Sequence, residues 1–254
     1  MGRTFCIANQ KGGVGKTTTS INLAAALARA GQHTLLVDMD PQCNATSGIG
    51  QQPVDRHPLV VDQALRHGVL STAVERLDLL PGSKSFRDLS VLASGDSTDD
   101  ELLIEHLANG AARYDYVLID CPPSLGKLTR TALSVSNEVL MPIQCEYFAM
   151  EGLAQMIDVI RSVMLDRPGE LTFGGIVLTM YDESLELTQE VDHEVREFFG
   201  EIVFDTVVPR DVHVTEAPSH GQSVIDYAPR SRGTRAYMES VSYTHLTLPT
   251  IYSV

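Results

Sequence analysis

The chain has few cysteines, and their spacing is unlike that of a disulfide framework or a zinc site. Its 254 residues contain four cysteines. Cys6, Cys43, Cys121 and Cys145 are scattered without CxxC spacing, which predicts reduced thiols. The same spacing argues against an iron–sulfur cluster within one chain, and it leaves open a cluster that two chains share.

The chain also lacks a long apolar run and a signal-peptide pattern. No stretch approaches roughly 18 consecutive apolar residues, so we expect no transmembrane helix. A strand pattern begins at Thr4 with no signal-peptide layout before it, so we expect a cytoplasmic protein. Since 43% of the residues are hydrophobic, the chain can bury one sizeable core, and one α/β domain is favoured over two.

Basic residues are scarce as well, and the formal net charge is −14 at pH 7. This charge opposes non-specific binding to DNA, which depends on Lys and Arg at the phosphates. Acidic residues concentrate in segments 96–105 and 182–201, which we interpret as solvated helix faces. Residues 229–235 are the exception, with three arginines in seven residues. Such a short run is more typical of a solvated turn than of a nucleic-acid site.

What the sequence does contain is a glycine-rich loop at residues 10–18, with the sequence QKGGVGKTT. The common P-loop pattern has glycine where this chain has Gln10. The glycines let successive backbone N–H groups point at one anion, and the positive end of the following helix adds to that field. We expect Lys16 to neutralise the β- and γ-phosphates and Thr17 to ligate magnesium. The predicted phosphate-binding residues are Gly12, Gly13, Val14, Gly15, Lys16, Thr17 and Thr18.

Three carboxylates follow two predicted buried strands. Asp38 and Asp40 come after the second strand, and their i, i+2 spacing directs both side chains the same way in an extended backbone. One of them is expected to hold the water shell of magnesium and the other to orient the attacking water. Asp120 ends the apolar run YVLID, as in a Walker B motif, and is expected to reach magnesium through water beside Thr17.

Apolar strands alternate with helical patterns along the chain, which predicts an α/β fold: a doubly wound, mostly parallel sheet with helices on both faces. Ligands bind such sheets at the carboxyl ends of the strands, where these motifs fall. The predicted strands are residues 4–8, 34–38, 77–80, 116–120, 138–143, 173–179 and 202–208. The predicted helices are residues 17–30, 99–109, 150–164 and 187–199.

Segments 11–18, 38–42 and 116–123 together resemble the deviant Walker A ATPases, and specifically the ParA/Soj partition ATPases. The similarity extends over about residues 3–240 and favours the short form without an N-terminal helix-turn-helix domain. Further matching segments are residues 8–10, 44–46, 144–152, 179–182, 208–210 and 216–219.

The resemblance implies roles for individual residues. Asp40 would position or activate the hydrolytic water, and Lys11 would reach the nucleotide of a partner subunit, somewhat as an arginine finger does. The adenine pocket would be lined by Met180, Pro209 and Arg210. The cofactors would be ATP and Mg²⁺.

The resemblance also implies an assembly. ATP would close a sandwich homodimer that binds DNA of the nucleoid without sequence specificity. A ParB-type protein would stimulate the slow hydrolysis of ATP and release the dimer. These implications describe a DNA partition ATPase.

Two segments depart from the family pattern. The loop at residues 182–186 lacks the arginine that often contacts DNA in the family, and Asp211 stands where asparagine is expected. The family ends in a basic amphipathic helix, whereas residues 241–250 are β-prone, contain a proline and lack Asp, Glu, Lys and Arg. Residues 241–254 resemble the translation of a sequencing adapter joined to a truncated gene. We therefore expect one ATPase domain over residues 1–240 and a non-native tail after it.

Two alternatives use the same glycine-rich loop. One is a membrane-associated positioning ATPase of the MinD type, which would need an amphipathic C-terminal membrane helix. The other is an electron-transfer ATPase related to nitrogenase iron protein, which the cysteine positions disfavour. The motifs at residues 146–152 and 180–181 favour the partition ATPase.

Overall fold

A seven-stranded sheet forms the centre of the protein. The computed structural model describes residues 2–57, 67–86, 105, 107, 109–110, 112–146, 149–166 and 170–244. The strands are β1 (Arg3–Ile7), β2 (Thr34–Asp38), β3 (Leu70–Ser71), β4 (Leu77–Leu80), β5 (Tyr116–Asp120), β6 (Glu138–Gln144) and β7 (Thr172–Thr179). Their order is β3-β4-β2-β5-β1-β6-β7, and every neighbouring pair is parallel except β3 with β4.

Helices cover both faces of this sheet. Among the described residues, the α-helices are α1 (Lys16–Arg29), α2 (Asn44–Gly48), α3 (Lys127–Val135), α4 (Ala149–Asp166), α5 (Glu186–Phe199), α6 (Val212–Glu216), α7 (Val224–Tyr227) and α8 (Arg232–Thr244). Alternate β1 residues enter opposite cores. Ile7 packs in one core with Leu27 of α1, and Cys6 packs in the other with Leu133 of α3. The prediction of a doubly wound, mostly parallel α/β fold is confirmed.

The strand register brings the predicted motifs to one edge of the sheet. β2 and β5 are buried along their whole length, as their apolar sequences TLLVD and YVLID require in a sheet covered on both faces. Asp120 at the end of β5 lies opposite Ile7 of β1 on one side and Asp38 of β2 on the other. The loop that follows β1 and the two aspartates therefore share the carboxyl edge of three adjacent strands.

The predicted strand at residues 202–208 is wrong. The segment begins with the end of a 3₁₀ turn (Gly200–Ile202) and pairs with β7 in part: Val203 forms an isolated bridge, and the N–H groups of Phe204 and Val208 donate to β7 carbonyls. The ladder is not continuous, since the carbonyl of Phe204 accepts from the Arg196 side chain instead. The predicted helix at residues 99–109 falls mostly outside the described residues.

Residues 241–244 are helical, which corrects the β-prone interpretation of this segment. They form the last turn of α8, where the side chain of Val241 is buried. The Tyr243 ring stacks on Phe204 with 4.2 Å between the ring centroids, and its hydroxyl accepts the Asp205 N–H at 3.0 Å. This packing stabilises the turn as helix. The domain boundary at residue 240 and the non-native origin of the tail stay predictions.

The cysteines and the helices bear on two further sequence predictions. All four cysteines are free and buried, and Cys6 and Cys121 have their Sγ atoms 3.4 Å apart. They are free thiols in this structure, and their reduced state in the cell stays a prediction. Within the described part of the chain, no helix is both long enough and apolar enough to cross a membrane.

Candidate nucleotide site

The glycine-rich loop joins β1 to α1 and has the backbone shape of an anion cradle. Gly13 and Gly15 have φ values of 78° and 86°, a region that side chains with a Cβ rarely adopt. A Cβ added at Gly12 or Gly13 would meet no atom within 4 Å, so space lies open beside the loop. The N-terminus of α1 has no side-chain cap and no acidic residue in its first turn. Its free N–H groups and dipole suit a phosphate.

Lys16 lies across this loop. Its Nζ donates to the carbonyl of Lys11 at 2.8 Å, and the residue is only 7% exposed. Burial lowers the pKa of Lys16 from its ordinary value, and the nearby carboxylate of Asp120 opposes part of that effect. A phosphate group would supply the anionic partner that this buried ammonium requires.

Asp120 lies at the base of α1 and is fully buried. Its Oδ2 accepts the Thr17 hydroxyl at 2.9 Å, and its Oδ1 accepts the Ser20 hydroxyl at 2.8 Å. The structure therefore brings together Thr17 and Asp120, the two predicted magnesium residues from different motifs. Burial, followed by the charge of Asp38, raises the pKa of Asp120 because both oppose ionisation.

Asp38 and Asp40 are both buried but have different surroundings. Asp38 Oδ2 accepts the hydroxyl and the N–H of Thr46 at 2.6 and 2.8 Å, and its Oδ1 accepts the Asp40 N–H at 3.2 Å. Asp40 is held by one contact, from the Gln42 N–H to its Oδ1 at 2.8 Å. Asp38 thus fixes the turn that carries Asp40, while Oδ2 of Asp40 has no hydrogen bond to the residues that the structure describes.

This donor set fits magnesium bound together with a nucleotide. No three His, Cys, Asp or Glu side chains converge on a metal-sized space in the described ranges. Mg²⁺ does not need such a cage, because it keeps several waters and takes its remaining ligands from one or two protein oxygens and the phosphates. The Thr17 hydroxyl beside the loop would supply such an oxygen directly, and the buried Asp120 carboxylate that it contacts would hold a metal-bound water. A divalent cation there also offsets the cost of ionising Asp120.

The predicted adenine residues lie beside the same loop. Thr179, the last residue of β7, donates its hydroxyl to the carbonyls of Val14 and Ile143 at 2.8 and 3.1 Å. Met180 follows in the left-handed region with φ 51°. Tyr181 then pairs with Pro209, which brings the predicted residues Met180, Pro209 and Arg210 to one place.

Lys11 projects from the outer side of the loop. Its N–H is held by Asn9 Oδ1 at 3.0 Å, and Asn9 in turn donates to the carbonyl of Pro142 at 2.8 Å. Its Nζ pairs with Glu146 Oε2 at 3.1 Å, and the two side chains are 30% and 49% exposed. The lysine that the resemblance assigns to a partner subunit therefore has an acidic partner within its own chain.

Comparison with known proteins gives the family of the chain. The family described as AAA domain matches residues 2–172. The chromosome-partitioning ATPase Soj of Treponema pallidum is 45% identical over 240 residues, which are 93% of this chain and 94% of that protein. The chromosome partitioning protein ParA of Myxococcus xanthus is 42% identical over 243 residues, which are 94% of this chain and 86% of that protein. The chain belongs to the ParA/Soj family of partition ATPases.

This ParA/Soj chain is also similar to solved structures of proteins whose names describe different activities. Cobyrinic acid a,c-diamide synthase from Mycobacterium smegmatis, with bound ADP and magnesium, is 31% identical with a TM-score of 0.82, covering 95% of this chain and 93% of its own. The cell division ATPase MinD from Pyrococcus furiosus is 26% identical with a TM-score of 0.76, covering 96% of this chain and 98% of its own. The names of these proteins describe different activities although the fold is shared. The fold alone therefore does not give the function, which has to be argued from the site.

Sequence reasoning assigned no role to several residues that build the ParA/Soj site. Ser20 was recognisable in principle, because it lies three residues after Thr17 and therefore on the same face of α1. Thr46, Thr179 and Glu146 gave no such signal. Thr179 and Glu146 meet their partners only after distant strands have paired, and Thr46 reaches Asp38 through the turn between β2 and α2, so helical or strand spacing does not show these contacts.

We expect the stability of the nucleotide-free protein to fall as the pH rises from the ordinary aspartate pKa of 3.8 to about 8. Burial raises the pKa of Asp38 to about 6 and that of Asp120 to about 8, both above the ordinary aspartate value. The folded state then binds more protons than the unfolded state, so this contribution is complete near pH 4 and is lost through the folded pKa values. Each group changes the free energy of unfolding by at most about 1.4 kcal/mol per pH unit.

Urea unfolding between pH 6 and pH 8, in EDTA and without nucleotide, measures this dependence. Asp120→Asn is expected to flatten the profile, because an amide does not titrate in this range. Asp205→Asn, at a residue whose side chain is 93% exposed, serves as the matched control. Stability that increases with pH in the wild type over this interval contradicts the assignment.

Proposed function

We propose that this chain is a DNA partition ATPase that binds ATP with Mg²⁺, dimerises in that state and hydrolyses ATP slowly until a partner protein stimulates it. The observation that carries the proposal is the open space beside Gly12 and Gly13, next to the buried Asp120 carboxylate that accepts the Thr17 hydroxyl. Lys11 is partly exposed at the start of the same loop. The names of the curated relatives supply the partition role.

In this proposal, the N–H groups of residues 12–18 bind the phosphates. The Lys16 ammonium leaves the carbonyl of Lys11 and pairs with the β- and γ-phosphate oxygens. Thr17 would hold Mg²⁺ directly, while Asp38 and Asp120 would orient its water shell. Magnesium, when bound, neutralises charge on the phosphate oxygens.

Asp40 acts on the attacking water. The Gln42 N–H fixes one oxygen of its carboxylate, and the other oxygen remains available to accept a proton from water or to orient it. The fixed turn between Asp38 and Thr46 holds Asp40 in place at the sheet edge. Asp40 is therefore the proposed water-positioning residue, and it would lie near the water molecules that surround the metal.

Lys11 completes the site of a second subunit. On dimerisation its ammonium exchanges Glu146 for the triphosphate of the partner, where it stabilises charge during hydrolysis. Met180, Pro209 and Arg210 contact the adenine of the subunit's own nucleotide. The unit that hydrolyses ATP is therefore a homodimer.

The proposed dimer binds nucleoid DNA without sequence specificity, in the cytoplasm, and a ParB-type protein triggers hydrolysis and release. The net charge of −14 opposes such binding overall, so the contact must use a local basic surface. Exposed arginines at positions 210, 230, 232 and 235 supply one.

We expect the protein to be retained on non-specific DNA with ATP and to be lost with ADP, and Lys16→Ala to abolish retention. The alanine variant lacks the ammonium that neutralises the β- and γ-phosphates. Retention is measured on immobilised DNA and, in parallel, on anionic liposomes. Lys84→Ala, which removes an exposed lysine, is the matched control and should behave as the wild type.

The same experiment decides between the two remaining functions. Retention on liposomes with ATP, without retention on DNA, favours a membrane-associated positioning ATPase, consistent with the similarity to MinD of Pyrococcus furiosus. Equal DNA retention in ATP and ADP contradicts a nucleotide-controlled partition protein.

A further inference from the structure

The segment that contains α5 carries a large share of the charge of the protein. Residues 182–201 include eight acidic residues and one arginine, so their formal charge of −7 is half of the −14 of the whole chain. Glu186, Glu190 and Glu194 recur every four residues and therefore lie along one side of the helix, where all three are exposed. Like charges at this spacing weaken a helix. The stability of α5 therefore gives no reason for them.

On the inner side of α5, the acidic side chain is paired. Asp192 Oδ1 accepts from Arg196 Nε at 2.6 Å, and Asp192 Oδ2 accepts the Tyr181 hydroxyl at 3.0 Å. The one arginine of the segment is thus bound to the inner carboxylate. The exposed carboxylates of Glu186, Glu190 and Glu194 form no ion pair with any other residue that the structure describes.

Two large apolar side chains border these exposed carboxylates. Phe198 is 75% exposed at the end of α5, and Leu187 is 43% exposed in its first turn. Phe198 follows Glu194 by four residues, so the two side chains are neighbours on the helix surface. The Phe198 ring lies 5.1 Å from that of Phe199, which packs against the core. We call this surface the acidic face (Glu186, Leu187, Glu190, Glu194 and Phe198).

The charge of the acidic face limits what it can bind. Nucleic acids and anionic lipids carry negative charge, and like charges brought together are unfavourable. Within the described ranges, no three acidic, His or Cys side chains converge as metal ligands, so the face does not form a cation site. Lysine and arginine side chains complement the carboxylates, and an exposed aromatic ring suits an apolar contact. The acidic face therefore fits a basic protein segment.

We propose that the acidic face is a docking surface for a basic segment of a partner protein. Glu186, Glu190 and Glu194 pair with lysine or arginine side chains of that segment, and Phe198 contacts one of its apolar side chains. The inference goes beyond the proposed function and does not depend on it, because it uses no residue of the nucleotide site and none of the exposed arginines.

The test uses a short, fluorophore-labelled synthetic peptide of lysine and leucine, whose affinity for the full chain is measured by fluorescence anisotropy. The double substitution Glu190→Gln and Glu194→Gln is expected to weaken binding about fivefold, within the range for two exposed ion pairs. The double substitution Glu75→Gln and Glu239→Gln changes the net charge equally at exposed positions elsewhere and should leave the affinity unchanged. Equal losses in the two double variants would show general charge attraction and overturn the proposal.

Phe198→Ala tests the apolar part of the surface. Truncation of an aromatic side chain at the centre of a contact is expected to weaken binding about fivefold. Leu165→Ala is the matched control, because Leu165 is 80% exposed on α4 and lies outside the acidic face. An affinity that Phe198→Ala leaves unchanged contradicts the docking surface. Thermal unfolding of each variant verifies that it is folded.

Hydrogen–deuterium exchange locates the bound peptide. Exchange should slow in fragments that cover residues 186–199 and stay unchanged at residues 10–18. Slower exchange at residues 10–18 alone would place the peptide in the nucleotide site and overturn the inference. Sedimentation without peptide examines the other occupant, a second copy of this chain. Self-association that Glu190→Gln with Glu194→Gln abolishes would make the face an interface between copies, and the proposed partner would be wrong.

Discussion

Replacing Lys11 by alanine is expected to leave nucleotide affinity within a few-fold of the wild type and to reduce ATP turnover about 10³-fold or more. The loop N–H groups, Lys16 and the carbonyl of Lys11 that Lys16 contacts remain in the variant. What is lost is the ammonium that the partner's triphosphate would receive, and a charge supplied in trans is worth about 10³ to 10⁵ in comparable nucleotide hydrolases. Fluorescent-nucleotide titration measures the nucleotide affinity, and steady-state hydrolysis measures the turnover. Sedimentation with ATP measures a third property, the association of the subunits.

Two comparisons make this result specific. Lys84→Ala removes an exposed lysine elsewhere and should change none of the three properties. Lys16→Ala should lose nucleotide affinity itself, unlike Lys11→Ala. A Lys11→Ala protein that stays monomeric with ATP but turns over normally refutes the trans role, and so does one whose nucleotide affinity falls as far as that of Lys16→Ala.

Asp40→Asn is expected to bind ATP and dimerise but to hydrolyse about 10² to 10⁴ times more slowly, the range for loss of a general base. The amide oxygen still accepts the Gln42 N–H, so the turn that carries residue 40 is retained. Only the ability to take a proton from water is removed. Single-turnover hydrolysis, measured after ATP has been bound to saturation, isolates this step from binding.

The variant should accumulate as an ATP-bound dimer that remains on DNA, because its exit from that state depends on hydrolysis. Asp205→Asn makes the same chemical change at an exposed position and should turn over normally. Hydrolysis by Asp40→Asn at the wild-type rate would remove Asp40 from the chemistry and leave it a structural turn residue.

Much of the fold could be predicted from the sequence because the strands are buried on both faces. β2, β4 and β5 have the predicted boundaries, since short apolar runs bounded by turn residues are typical of buried parallel strands. Residues 202–208 are equally apolar but do not form a strand. Their backbone pairs with β7 only in part, because the Phe204 carbonyl accepts from Arg196, whose position depends on the packing of α5.

The residues of the candidate site also differ in whether the sequence alone predicts them. Lys16, Thr17 and Asp120 were predicted from motifs, because the loop and the strand end fix where they lie. Thr179 was recognised only as part of a segment that matches the family. Its hydroxyl contacts the carbonyls of Val14 and Ile143, which are 165 and 36 residues away in the sequence. No local pattern shows such contacts, because they depend on how β7 pairs with β6 and meets the phosphate loop.

The ion pair between Lys11 and Glu146 has a consequence that follows from symmetry alone. In the proposed dimer a two-fold axis makes every contact occur twice, so the two subunits must give up this pair together. An exposed pair contributes only about 0.2 to 1 kcal/mol. Doubled, that amounts to roughly 0.4 to 2 kcal/mol, or about a 2- to 30-fold change in the association constant. A contact that contributes little to folding thus raises, by that factor, the protein concentration at which the subunits begin to associate.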